Sequence, residues 1–196
     1  MGKRSAAAPS AAVAGPALVA ALTVASTVSL AGAASCPAST TCPTTVTFTD
    51  TNPGGLTTTV PDGPVSVGSG VPLGQISGQL GPIAVSDQRA ALTATWAATV
   101  SATAFTTGGG TPAETVPNSA VLYWSGPATA TTGTGTFVPG RVDAAAAQSL
   151  DETRTAFSKT SGSGVDTAER NPTIVVNVPA QAVAGLYTGT VNHSVA

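Results

Sequence analysis

In the run LTATWAATVSATAF, Leu92 to Phe105, the residues Leu92, Ala94, Trp96, Ala98, Val100 and Ala102 share one parity, with threonine, serine and Ala97 between them. A repeat of two places the first set on one dry face of a pleated strand and the second set in solvent. The register fails at Ala104-Phe105, where the large apolar residue changes parity. A bulge or strand end is therefore expected there, before a turn or flexible loop at Thr106-Thr107-Gly108-Gly109-Gly110.

The rest of the chain uses the same vocabulary. Valine, threonine and aromatic residues suit a half-buried pleated surface. They fill Val46 to Thr49, Leu56 to Val60, Val65 to Val67, Ile83 to Val85, Val121 to Trp124, Thr136 to Val138, Thr173 to Val178 and Leu186 to Val195. Val-Pro pairs at Val60, Val71, Val116, Val138 and Val178 read mostly as strand stops, because a residue before proline is held extended and proline cannot donate to a ladder. Arg141 to Phe157 differs, with alanines from Ala144 to Ala147 behind an early Asp143, and is expected to hold a short helix; Ser158 to Gly164 reads as a mobile loop. Many short strands between turn signals predict an all-β fold, a β-sandwich or partly closed barrel of about eight strands, with at most one short helix in a connection.

The N-terminus reads as an export signal. Lys3 and Arg4 precede an apolar stretch through Leu30, and the small residues Ala31-Gly32-Ala33-Ala34 follow. Gly15-Pro16 interrupts the stretch, and a spanning helix needs about 20 predominantly apolar residues. Residues 1–34 are accordingly expected to be removed, leaving a single domain from 35 to 196 outside the cell with no membrane span. Cleavage would leave five basic and nine acidic side chains, a net charge of −4. The remaining cations, Arg89, Arg141, Arg154, Lys159 and Arg170, are dispersed and read as solvated surface charges, so nucleic acid is a poor partner. Only 8% of residues are charged but 42% are hydrophobic, which argues against disorder.

Cys36 and Cys42 are an even pair in a chain read as exported, which favours a disulfide over a metal site, and the single histidine, His193, leaves a structural zinc without ligands. Such a bridge would restrict the unfolded chain by about 2.4 kcal/mol and pin the mature N-terminus. No cofactor is expected: a phosphate-cradling loop with lysine, a dinucleotide fingerprint and a His-Glu-x-x-His helix are all missing from the sequence.

The order of Leu56 to Pro61, GQLGPIAVSDQRAALTATWAATVSATAF, VPNSAVLYWSG and NPTIVVNVPAQAVAGLYTGTVNHSVA resembles a WxL-type surface domain, more narrowly the Ala/Thr/Gly-rich variants secreted by high-GC Gram-positive bacteria. The resemblance covers nearly all of the mature chain. It implies an exported β-rich domain held non-covalently on the cell wall through peptidoglycan. At the two Trp-x-Leu positions that name the family this chain has Trp96-Ala97-Ala98 and His193-Ser194-Val195, so one tryptophan survives and both leucines are gone.

Four residues are candidates for ligand contact. Trp96 shares its parity with Leu92 and Val100 and reads first as a core anchor. Tyr123 and Trp124 must face opposite ways on one strand, so one of them can offer a face to a sugar ring. His193, near the end of a terminal strand, reads as a packed, hydrogen-bonded ring rather than a base, because no serine sits in a Gly-x-Ser-x-Gly elbow. Asp87 and Arg89 share a face and are expected to form an exposed ion pair. Asp151-Glu152 is adjacent rather than spaced across a cleft, unlike the paired carboxylates of glycoside hydrolysis. The chain is thus read as a non-enzymatic surface domain associated with peptidoglycan, or as a soluble extracellular module for a carbohydrate or protein partner. A hydrolase is the least favoured reading.

Overall fold

The computed structural model describes residues 37–39, 42–51 and 54–196. The export signal, its cleavage site and Cys36, and with it the expected Cys36–Cys42 bridge, lie outside the described residues or rest on them in part. The chain divides into two units, Met1–Phe48 and Thr49–Ala196. In the first unit the described residues carry no strand, and Phe48 is 90% exposed, so the strand expected from Val46 to Thr49 does not form.

The second unit is all-β. Its strands are β1 (Leu56–Thr59), β2 (Gln75–Gln79), β3 (Ile83–Ala91), β4 (Trp96–Ala102), β5 (Phe105–Thr106), β6 (Thr115–Val116) and β7 (Val121–Trp124). They continue with β8 (Ala130–Thr132), β9 (Thr136–Pro139), β10 (Gln148–Ser149), β11 (Arg154–Ser161), β12 (Gly164–Arg170), β13 (Thr173–Asn177) and β14 (Val191–Val195). All pairings are antiparallel.

Three four-stranded ladders, β1-β3-β12-β8, β10-β7-β13-β2 and β14-β4-β11-β9, make a sandwich of two layers. The first two ladders are one layer cut across. β2 runs on into β3, β7 into β8 and β12 into β13, and each junction holds a proline, at Pro82, Pro127 and Pro172. Proline has no N–H to give a ladder, so three neighbouring strands break together. The gap is bridged by Leu80 N donating to Pro172 O at 2.9 Å and Gly81 N donating to the Asn171 side-chain oxygen at 3.1 Å.

The β14-β4-β11-β9 ladder covers both halves. Toward one end, Trp96, Ala98 and Phe157 pack on Val85 and Ala168; toward the other, Val100, Ala102 and Ala156 pack on Val121, Tyr123, Ile174 and Val176. The alternation in β4 is what makes this possible: Trp96, Ala98, Val100 and Ala102 all point inward, as their parity requires. Leu92, of the same parity, is 91% exposed, because β4 begins only at Trp96 and Leu92 lies on the bend that follows β3.

Several expectations are corrected. Val65 to Val67 forms no strand; it crosses β2 at Gly78, where a Cβ would stand 2.8 Å from the Val67 Cα. The Arg141 to Phe157 segment holds only a 3-10 turn, Ala144–Ala146, whose first residue follows Asp143; the Asp143 carboxylate accepts from Ala146 N at 3.1 Å. Beyond it the chain is already extended as β10 and β11. Ser158 to Gly164 is no loop, since β11 runs to Ser161 and β12 starts at Gly164. The last strand begins at Val191 rather than Leu186, which is exposed.

Candidate functional site

Among the described residues, four charged side chains lie inside the sandwich and not on a solvated surface. Lys159 and Arg170, expected in water, are buried at 1% exposure each, and Asp87 and Asp166 are buried as well. β12 alternates Asp166, Ala168 and Arg170 into the core, and Lys159 enters it from β11 on the opposite layer.

Two acids stand together. Asp87 and Asp166 are direct partners in the β3–β12 register, so both carboxylates project from neighbouring strands on one inward face. Like charges directly opposite destabilise a sheet pair unless each is compensated, and here each is. Arg89 grips Asp87 through Nε and Nη2 at 2.9 and 2.7 Å, and its own backbone N–H donates to the same carboxylate at 3.0 Å. The Arg89 hydrogen bonds hold Asp87 below the usual carboxylate range against the opposing push of burial. The pair is therefore not the exposed one the sequence implies: Arg89 is partly open and Asp87 sealed.

Asp166 is held by two donors of different kinds. Lys159 Nζ lies 2.5 Å from Oδ2 and Trp96 Nε1 donates to Oδ1 at 3.0 Å. Trp96 is thus a core anchor with a second duty, stacked on Phe157 at 6.2 Å and tilted against Phe137 at 6.3 Å. Its N–H finds a buried acceptor, as an indole in a core needs.

Arg170 has no such arrangement. Its guanidinium lies 5.7 Å from the Phe157 ring centre, and Nε, Nη1 and Nη2 are buried without a hydrogen-bond partner. Its charge reaches Tyr123 and His193. Burial pushes the Tyr123 hydroxyl up and Arg170 partly offsets that, although no hydrogen bond of good geometry joins them. His193 on β14 stands 6.4 Å from the Tyr123 ring. Burial, reinforced by Arg170, lowers it to about 4, so the ring is neutral near pH 7. Its Nδ1 is buried without a partner, in contrast to the hydrogen-bonded ring read from the sequence.

The same histidine reaches a cleft of about 1040 Å³ between residues 60–72 and 182–191. Val67, Ile76, Leu80, Phe105 and Tyr187 line it with His193, so it is apolar with one neutral ring in its wall. Of the other candidates, Tyr123 is fully buried and Trp124, facing the other way, is half-buried. The structure thus brings Tyr123 and His193 together, puts Trp96 in the ionic cluster, and leaves Trp124 apart from both. Sequence reading missed Lys159, Asp166 and Arg170. Their spacing along two strands was the available signal, but charged residues at inward positions look like surface in a pattern search.

No family model matches the chain, and no curated protein or solved structure matches it.

Proposed function

We propose that this chain is a structural or adhesive domain of the cell exterior that associates non-covalently with the peptidoglycan wall. The observation that carries the reading is the distribution of polar groups. Asp87, Asp166, Lys159 and Arg170 are drawn into the sandwich, while exposed faces present paired hydroxyls: Thr99 with Ser194 at 2.8 Å, Thr132 with Thr167 at 2.7 Å and Thr136 with Ser161 at 3.1 Å. A hydroxyl-rich surface suits contact with a glycan, whose own groups are hydroxyls and amides. The N-terminal export pattern and the likeness of the chain's layout to WxL-type domains support the same location. Fractionation of producing cells tests it. The protein should sediment with washed wall, rebind purified peptidoglycan, and be released by denaturant without proteolysis; recovery from the medium alone, with no pelleting, overturns it.

A second reading is a soluble extracellular module that binds a carbohydrate or protein partner. The cleft favours the protein over the sugar. Its wall is largely apolar, Phe105 and Tyr187 standing among mostly aliphatic residues, and the aromatic candidates Tyr123 and Trp96 are inside the core rather than in that wall. Retention of an apolar peptide by the soluble domain, without wall binding, would support this reading over the first.

A further inference from the structure

We propose that Lys159 and Asp166 become joined by an intramolecular amide bond between Lys159 Nζ and Asp166 Cγ, formed with loss of one water. The inference is independent of the wall reading, because it rests on the ionic cluster alone.

The arrangement supplies each requirement of the reaction. Nζ is already in contact with the carboxyl group, 2.5 Å from Oδ2, and both side chains are 0% exposed. Such proximity makes a two-body condensation effectively unimolecular. The lysine is fixed by its surroundings. In the strand register it stands beside Trp96 on β4 and Phe137 on β9, with Nζ 5.8 Å from the centre of the Phe137 ring. Gly135 and Gly162, both at positive φ, bring their backbone so close that a Cβ on either would stand 2.9 Å from Lys159 Cε. The reacting form is an amine facing a carboxylic acid, reached by passing one proton along the Nζ–Oδ2 hydrogen bond.

From that state the atoms balance without an oxidant or a co-reactant. The Nζ lone pair attacks Cγ and forms the C–N bond, and negative charge gathers on Oδ1. Trp96 Nε1 donates to that oxygen at 3.0 Å, where a fixed donor in a dry site is most effective. The surplus proton on nitrogen moves to Oδ2, the C–Oδ2 bond breaks, and the oxygen leaves as water. Asp87 faces Asp166 across the strand pair and is kept ionised by Arg89, which makes it the carboxylate placed to carry this proton. The Lys159 charge acts on Asp87 as well, as their closeness requires.

Tryptic digestion of the reduced, denatured full chain tests the bond directly. Trypsin cuts after Arg154, Lys159 and Arg170, so an unjoined chain gives Thr155–Lys159 and Thr160–Arg170 as separate peptides. The amide removes the lysine's charge. The expected product is one uncut peptide, Thr155–Arg170, lighter than its sequence by one water, with fragment ions linking the two side chains. Two separate peptides of full mass from folded protein overturn the proposal. So does loss of water with Lys159 still cut, which marks a succinimide at Asp166. Lys159→Arg should restore cleavage at position 159 and the full mass. Asp87→Asn should leave most of the chain unjoined; complete joining in that variant overturns the role given to Asp87.

Discussion

Asp87 and Asp166 face each other directly across β3 and β12, both wholly buried, and each is neutralised by a cation from a different direction. Arg89 comes from the same strand as Asp87, whereas Lys159 crosses from the other layer, so only the second pair ties the two layers together. A buried ion pair adds little net stability compared with apolar residues of equal shape, but breaking one side strands a charge in the core. Against parent protein in which the two side chains are still unjoined, Lys159→Met should therefore cost about 3 to 5 kcal/mol, measured by urea unfolding. Lys159→Met together with Asp166→Leu should recover most of that loss. A single variant as stable as the parent would show that the core tolerates Asp166 without its cation.

Gly78 lets the chain at Val67 lie directly against β2. A Cβ there would meet the Val67 Cα at 2.8 Å and its carbonyl oxygen at 2.9 Å, so Gly78→Val must push the chain around Val67 off β2. Overpacking of this kind costs about 1 to 3 kcal/mol. The expected result is a modestly lowered Tm and new protease cleavage confined to residues 60–72. Unchanged proteolysis would mean that the segment does not depend on its seat on β2.

The layer arrangement was readable from sequence where a strand had an apolar inward face. β4 and β7 are legible for that reason, and Val-Pro at Val60, Val116, Val138 and Val178 does fall at or just beyond strand ends. β11 and β12 were not legible, because Lys159, Asp166 and Arg170 occupy inward positions that a pattern search assigns to water. The prolines at 82, 127 and 172 lie far apart in sequence, and nothing local shows that folding aligns them across one layer. Of the candidate site, the burial of Trp96 followed from its parity, whereas its bond to Asp166 depends on a residue 70 positions away.

His193 should make the fold acid-sensitive. The unfolded ring takes up a proton near its ordinary 6.5 and the folded ring only near about 4. Between those values the unfolded chain binds more protons, so stability falls as pH falls. The contribution is present in full above about pH 6.5 and is lost by about pH 4, roughly 3 kcal/mol in all. Urea midpoints followed across this window should decline in the parent and flatten over the same range in His193→Gln. A parent with no slope between these limits would contradict the burial of the ring.

Arg170 is the one buried cation whose removal should help. Lys159 is balanced by Asp166, but the Arg170 guanidinium lies on the face of Phe157 and near the Tyr123 hydroxyl with no acid to balance it, and all three nitrogens are unpartnered. A desolvated cation–π contact contributes about 2 kcal/mol, whereas burying an ion costs several kcal/mol even after relaxation. The second effect is larger. Arg170→Met keeps most of the stem's volume and should be neutral or stabilising by about 1 to 4 kcal/mol. The same substitution withdraws the positive charge that helps to lower His193, so the imidazole should titrate higher than in the parent, as an NMR titration would show. The two readouts separate the causes: a large destabilisation with an unmoved histidine would mean that Arg170 serves through packing and not through its field.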